Sequence, residues 1–306
     1  MQTHLGDRLA APTVTASYIY AARYGYSDRV LHNDNQLRIF PGADSAQEPL
    51  DQQLWIRPDG SSVEYRDRFG NRVRRVRIVA PHDQLVVASA GRIRLATWAP
   101  EPDEATVDEV SDLPDGFDFA FRSPLIDPDG VAEVAREVAG DAGSLLAAVR
   151  ATVEWVYREI SYRRGATGVT TTAEQVLATG EGVCQDKTHL ALGMLRALRI
   201  PCRYVSGLLT GQVGETHAWL EVLHPRSGWV AVDPTRGVLF PPASDYIKLA
   251  VGRDYSDVPP VSGSFLSRGA ATECAAISSV RFADVEAIFD DAIELLSTAY
   301  VVRSGA

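Results

Sequence analysis

The hydrophobic period of this chain changes near residue 142, and that change limits the folds it can adopt. From residue 12 to about 98, short apolar and β-branched runs alternate with turn signals such as Pro41-Gly42 and Asp59-Gly60. Short strands between regular turns are typical of an antiparallel sandwich. From about residue 142 the spacing becomes helical. The apolar face of that helix consists of Leu146, Val149, Val153, Val156 and Ile160. The pattern predicts an antiparallel β-sandwich in front of a helix-containing region.

Residues 100–116 separate the two patterns and are rich in proline and acidic residues. This composition predicts a solvated boundary between two domains. We therefore divide the 306 residues into an N-terminal β-sandwich domain at 1–100 and a core at 101–265. The third segment, 266–306, is a C-terminal strand and helical tail. Its predicted helix runs from Phe282 to Tyr300, with an apolar stripe that includes Val285 and Phe289.

Charge and cysteine content narrow the classes of function. The formal net charge is −10, which argues against general binding to nucleic acid or to an anionic membrane surface. Residues Met1 to Leu9 are polar, and no apolar run approaches the ~20 residues that span a bilayer. Three cysteines do not form a typical disulfide framework. These features predict a cytoplasmic protein with no membrane partner, and they leave its oligomeric state open.

Cys184 follows a loop broken by Gly180 and Gly182 and begins a helix predicted to end near Leu198. A shorter helix precedes the loop, from Thr172 to Ala178, with a capping box predicted from Thr171 and Glu174. Backbone N–H groups and the positive end of a helix favour a thiolate. Cys184 is thus a candidate nucleophile. The alternative is a buried structural cysteine, which is common for free thiols.

His217 and Asp233 lie on two predicted strands, 217–223 and 229–233, joined by a hairpin tip. If residue 223 faces residue 227, the two side chains are directly opposed, with Cβ atoms about 4.5–5.5 Å apart. A shift of two residues keeps them on one face as diagonal neighbours. A shift of one would place Val230 and Val232 on the face of His217, against the apolar alternation. The strand pattern therefore predicts a His-Asp pair, in which the aspartate orients the imidazole.

Four motifs around these residues resemble the transglutaminase-like superfamily. The nucleophile motif is Gly182–Asp186 (GVCQD), and the segment after it is Leu195–Gly207 (LRALRIPCRYVSG). The histidine motif is Thr216–Val222 (THAWLEV), and the aspartate motif is Gly228–Thr235 (GWVAVDPT). The motifs occur in the order of the family. The strands of the N-terminal region also resemble the β domain of bacterial members.

This resemblance implies an α+β fold, a papain-like transglutaminase core preceded by the β-sandwich, with Cys184, His217 and Asp233 as the catalytic triad. It implies thioester chemistry on amide or isopeptide bonds of a peptide or protein substrate, most often as a cysteine protease. Transfer to an amine, deamidation and a non-catalytic peptide-binding scaffold remain the alternatives. The sequence contains no metal-ligand spacing and no cofactor motif, so we expect no metal and no cofactor.

Three further residues are candidates for substrate binding. Trp219 shares the strand face of His217, where it either walls the substrate cleft or packs beneath it. Gln185 and Tyr162 are candidates for the second donor to an oxyanion, the first being the backbone N–H of Cys184.

Overall fold

The computed structural model describes residues 12–281. Its strands are β1 (Thr13–Val30), β2 (His32–Leu37), β3 (Gln47–Arg57), β4 (Ser61–Arg66), β5 (Arg72–Ile78), β6 (His82–Ala96), β7 (Ser161–Tyr162), β8 (Glu181–Gly182), β9 (Cys202–Leu209), β10 (Val213–Gly214), β11 (His217–His224), β12 (Gly228–Asp233), β13 (Val238–Leu239), β14 (Tyr246–Gly252), β15 (Val261–Leu266) and β16 (Ala271–Arg281). Its α-helices are α1 (Asp108–Ser111), α2 (Ala132–Ala139), α3 (Leu145–Glu159), α4 (Ala173–Thr179) and α5 (Cys184–Ala197).

Two antiparallel sheets form the N-terminal sandwich, in the orders β10-β16-β1-β6-β3 and β15-β2-β5-β4. Their inner faces share one apolar core, to which Tyr20, Leu37, Ile78 and Val87 contribute. The predicted β-sandwich is therefore confirmed. Strand β6 is continuous over 15 residues, from His82 to Ala96. Strand β4 is exposed along its whole length, including its two alternating apolar residues, Val63 and Tyr65.

The C-terminal strands belong to the sandwich and not to a separate tail. Strand β15 pairs with β2, and β16 pairs with the whole middle of β1, from Ser17 to Tyr26. The sandwich sheets thus include residues on both sides of the predicted boundary between 265 and 266, because strand pairing joins segments far apart in sequence. The predicted helix from Phe282 to Tyr300 lies outside the described residues.

The core packs helices against a third sheet, in the order β13-β12-β11-β9-β14. Helix α5 lies at the centre of the core, and the residues of this helix from Asp186 to Arg196 are all buried. The 100–116 segment is less solvated than predicted, because Val110 of α1 is fully buried in the same core. The capping box of α4 is formed by Thr172 and Gln175, one residue later than predicted.

Strand β14 joins the core to the sandwich. Apolar residues of β1 and β6 pack on it, and two buried amides bond to its backbone. Gln47 donates to the carbonyl of Lys248 and accepts from its N–H, both at 2.8 Å. Asn71 does the same at Val251, at 2.7 and 2.8 Å. These side chains satisfy backbone groups of a strand at the edge of its sheet, where pairing partners are otherwise missing.

Candidate active site

Cys184 is the first residue of α5, and its side chain is partly exposed. The turn before it is held by Asp186, whose carboxylate accepts from the Val183 N–H at 2.7 Å and from the Thr167 hydroxyl at 2.6 Å. A Cβ on Gly182 would lie 2.5 Å from the Cβ of Asp186, so this close approach requires glycine. The loop and helix therefore present the thiol at the helix N-terminus.

His217 and Asp233 are hydrogen-bonded, with 2.7 Å between Nε2 and Oδ2. The observed register places Leu220 opposite Val232 and Leu223 opposite Trp229. This is two residues from the directly opposed pairing that we considered first. The diagonal arrangement is therefore the correct one, and the imidazole reaches across to the carboxylate. Both registers keep the two side chains on one face of the sheet.

The Asp233 carboxylate is fully buried and accepts four hydrogen bonds. Oδ2 accepts from His217 and from the Tyr246 hydroxyl at 2.8 Å, and Oδ1 accepts from the N–H groups of Thr235 and Arg236. Burial alone would raise its pKa, but these bonds and the charge of His217 outweigh burial and lower the pKa below its usual value. Asp233 therefore remains an anion.

The imidazole of His217 is held between an acid and a thiol. Burial lowers its pKa, but hydrogen bonds to Asp233 and Cys184 outweigh burial and raise the pKa to about 9. Because Nε2 bonds to Asp233, Nδ1 is the nitrogen left for the Cys184 thiol. At neutral pH the environment thus favours an imidazolium beside Cys184.

Trp219 lies behind His217 and not in the cleft. It is 2% exposed, and its ring stacks on the imidazole at a centroid distance of 6.2 Å and an interplanar angle of 20°. A Cβ on Gly207 would lie 2.4 Å from the indole, so the glycine makes room for it. This placement assigns Trp219 to support of the histidine, the packing alternative.

Two cavities flank the pair of Cys184 and His217, and both residues line each cavity. The larger has a volume of about 240 Å³ and is also lined by Gln185. The smaller has a volume of about 130 Å³ and is lined by Tyr162. Tyr162 is half exposed, whereas the Gln185 side chain donates to the Val169 carbonyl at 3.1 Å. The candidate residues other than Trp219 thus come together around the thiol.

Tyr246 is a site residue that the sequence analysis missed. Its hydroxyl donates to Asp233 and accepts from the Arg236 guanidinium at 2.8 Å. It lies on β14, beyond the aspartate motif, and no local pattern marks it. Only the pairing of β14 with β9 brings it beside Asp233.

Between residues 12 and 281, no group of three or more His, Cys, Asp or Glu side chains is placed to hold a metal ion. In the same range, no helix has both the length and the apolar character needed to cross a bilayer.

Two family descriptions match this chain. The transglutaminase-like superfamily matches residues 132–234, which include the cysteine, the histidine and the aspartate. The bacterial transglutaminase-like N-terminal region matches residues 17–94, within the sandwich. The chain belongs to the transglutaminase-like superfamily. The resemblance seen in the four motifs is therefore confirmed.

Two relatives and one solved structure are similar to this chain. An uncharacterized protein of Mycobacterium leprae is 31% identical over 265 residues, 82% of this chain and 93% of that protein. A protein-glutamine gamma-glutamyltransferase of Pseudomonas aeruginosa is 32% identical over 81 residues, 23% of this chain but 12% of that protein. The crystal structure of a proposed cysteine protease from Cytophaga hutchinsonii has a TM-score of 0.74 at 21% identity, covering 88% of this chain and 91% of that one. That likeness confirms the fold.

Proposed function

We propose that this protein is a cysteine-dependent hydrolase of amide or isopeptide bonds in peptides or proteins. Membership of the transglutaminase-like superfamily supports thiol-based acyl chemistry in general. The observation that carries the proposal is the imidazole of His217, which bonds to Asp233 through Nε2 and has the Cys184 thiol as its other partner. This is the arrangement of nucleophile, base and orienting acid that covalent catalysis requires.

In this mechanism His217 moves protons and Cys184 carries the acyl group. The imidazole already holds the thiol proton as an imidazolium, and the sulfur attacks the carbonyl carbon to give a tetrahedral oxyanion. When the carbon–nitrogen bond breaks, the imidazolium gives its proton to the departing amine, and a thioester remains. A water molecule then loses a proton to the imidazole and attacks the thioester. The carbon–sulfur bond breaks, the imidazolium returns this proton to the sulfur, and the products are a carboxylic acid and the free thiol.

Two groups in the site suit stabilisation of the oxyanion. The first is the backbone N–H of Cys184 at the start of α5, where the helix end favours negative charge. For the second, we favour Tyr162 over Gln185, because the Gln185 amide already donates to the Val169 carbonyl. Burial raises the pKa of Tyr162, and the nearby Cys184 raises it further, so its hydroxyl stays protonated and able to donate.

Acyl transfer to an amine is the second candidate function. It is favoured by the similarity over 81 residues to the protein-glutamine gamma-glutamyltransferase of Pseudomonas aeruginosa. The first chemical half is the same in both reactions, and only the group that attacks the thioester differs. Adding a primary amine to the reaction and measuring amide product against free acid by mass spectrometry decides between them.

The test of the mechanism compares two site variants on a small activated ester or amide. We expect Cys184→Ala to form no covalent adduct by intact mass. Asp233→Asn keeps a nearly isosteric side chain but loses the charge that stabilises imidazolium, so we expect a slow enzyme that still forms the thioester. The penalty in a serine protease triad is about 10⁴ in rate. We expect less here because a thiol is the stronger nucleophile.

Cys202→Ala is the matched control, because Cys202 is buried at the start of β9 and outside both cavities. It should retain turnover. A covalent adduct on Cys184→Ala, or parental turnover by Asp233→Asn, would contradict the mechanism. If neither the parent protein nor Cys202→Ala forms an adduct, although both are folded, the result would support the non-catalytic scaffold instead.

A further inference from the structure

The larger cavity beside Cys184 is built in part by the N-terminal sandwich. Tyr20 and Tyr24 of β1 and Val261 of β15 line it from the sandwich side. Tyr204 and Tyr255 line it from the core side. The wall of the site is therefore composite, because the strand pairing places β1 and β15 against the mouth of the catalytic cleft.

The tyrosine walls are fixed by packing. Tyr20 is 3% exposed within the sandwich core, with Tyr24 and Val261 packed against the same core. Tyr204 is 2% exposed, and its ring meets that of Tyr255 edge-on at 6.4 Å. Side chains held in this way cost little further conformational entropy when a ligand binds. The cavity is thus a preformed pocket and not a gap that side chains would fill.

The size and lining of the cavity favour an aromatic guest. A cavity of about 150 Å³ can hold a benzene ring. The 240 Å³ here leave room for a larger aromatic side chain. Aromatic rings attract one another edge to face. Among the described residues that line the cavity, none is lysine or arginine, and Glu215 is the carboxylate. The cationic group in the lining, the imidazolium of His217, is already paired with the Asp233 carboxylate. A neutral guest therefore suits this lining better than an acidic one.

The smaller cavity differs from the larger one, and this difference indicates which part of the substrate each cavity binds. The walls of the smaller cavity add the polar side chains of Arg164 and Gln212 to that of Glu215, which lines both cavities. The departing amine and the incoming water or amine are polar, so this side suits them. The acyl part of the substrate, which stays bound through the thioester, is then left to the tyrosine-lined cavity.

We infer that the tyrosine-lined cavity is a specificity subsite, contributed jointly by the sandwich and the core, that binds an aromatic side chain on the acyl part of the substrate. This inference rests on the proposed function and names the substrate class for it. It also gives the N-terminal sandwich a part in substrate choice, in place of a purely structural one.

The test uses short peptides that end in a thiol-reactive ketone, with either phenylalanine or glycine at the last or the second-last residue. At one of the two positions, we expect the phenylalanine peptide to inactivate the parent protein at least about tenfold faster than the glycine peptide. A factor of ten corresponds to 1.4 kcal/mol. Val261→Trp should fill the cavity and remove that advantage. Val79→Trp is the matched control, because Val79 lines neither cavity and is 69% exposed. It should keep the advantage.

Iodoacetamide separates failure of this inference from failure of the proposed function. It is too small to need the subsite, so it should label Cys184 equally well in the parent and in both tryptophan variants. Selective labelling of Cys184 without any phenylalanine advantage would overturn the subsite alone. Equal labelling of Cys184 and Cys202 in the parent would contradict both proposals.

If Val261→Trp does not fold, Tyr255→Ala replaces it. That variant should lower the phenylalanine advantage by removing an aromatic wall, and an unchanged ratio would overturn the inference.

Discussion

Replacing His217 by glutamine should change how the stability of the protein depends on pH. In the folded protein the His217 pKa lies at about 9, against 6.5 for an ordinary histidine. The side chain is only 10% exposed, so solvent screens its ion pair with Asp233 weakly. A difference of about 2.5 pKa units, at about 1.4 kcal/mol each, amounts to about 3 kcal/mol.

The sign follows from proton binding. Between pH 6.5 and 9 the folded state keeps the imidazole proton, while the unfolded state loses it. The free energy of unfolding therefore falls by about 1.4 kcal/mol per pH unit in this window from this group. The stabilisation is complete below pH 6.5 and is lost as the pH rises through 9. His217→Gln lacks this titration, so its stability should fall less over the same range.

Urea unfolding followed by tryptophan fluorescence, at intervals from pH 6 to pH 10, measures the effect. We expect the parent protein to lose about 3 kcal/mol more than His217→Gln over this range. Cys184→Ala is the control, since it removes one partner of the imidazole but keeps Asp233. It should show an intermediate loss. Parallel curves for the parent and His217→Gln would refute the raised pKa and the charged pair on which it depends.

Three further outcomes test other parts of the structure. Iodoacetamide near neutral pH should label Cys184 before Cys202, whose pKa burial raises to about 11; peptide mapping by mass spectrometry decides, and equal rates would contradict an activated Cys184. Trp219→Ala should cost about 3–5 kcal/mol in urea unfolding, because a large buried ring is lost; a loss below 1 kcal/mol would contradict its packing. Asn71→Ala should cost about 1–3 kcal/mol, since the backbone N–H and carbonyl of Val251 lose their partner. Asn71→Asp, which keeps only the acceptor, should not restore the parental stability.

Much of the candidate site was predictable because it depends on local order. The alternation along β11 fixed which side chains share a face, so His217 and Asp233 could meet in either allowed register. The glycine-broken loop located the start of α5 at Cys184, and the end predicted near Leu198 is one residue beyond the observed end at Ala197. These signals act over a few residues, where backbone geometry and hydrophobic period dominate.

The first choice of register was wrong by two residues because strand alternation repeats every second residue. A shift of two leaves the same side chains on the same face, so the pattern cannot distinguish the two pairings. The same limit explains the misplaced capping box, where Thr171 and Thr172 both offered a plausible hydroxyl. In each case neighbouring alternatives satisfied the same local rule.

By itself, the sequence determined the α+β class, the order of sandwich and core, and three residues able to form a triad. Only the tertiary structure decided what surrounds them. Tyr246 reaches Asp233 because β14 pairs with β9, and β15 and β16 return to the sandwich, which brings Tyr24 and Val261 to the mouth of the cleft. Contacts between strands far apart in the chain are set by which edges and apolar faces remain to be covered, and no short stretch of sequence contains that information.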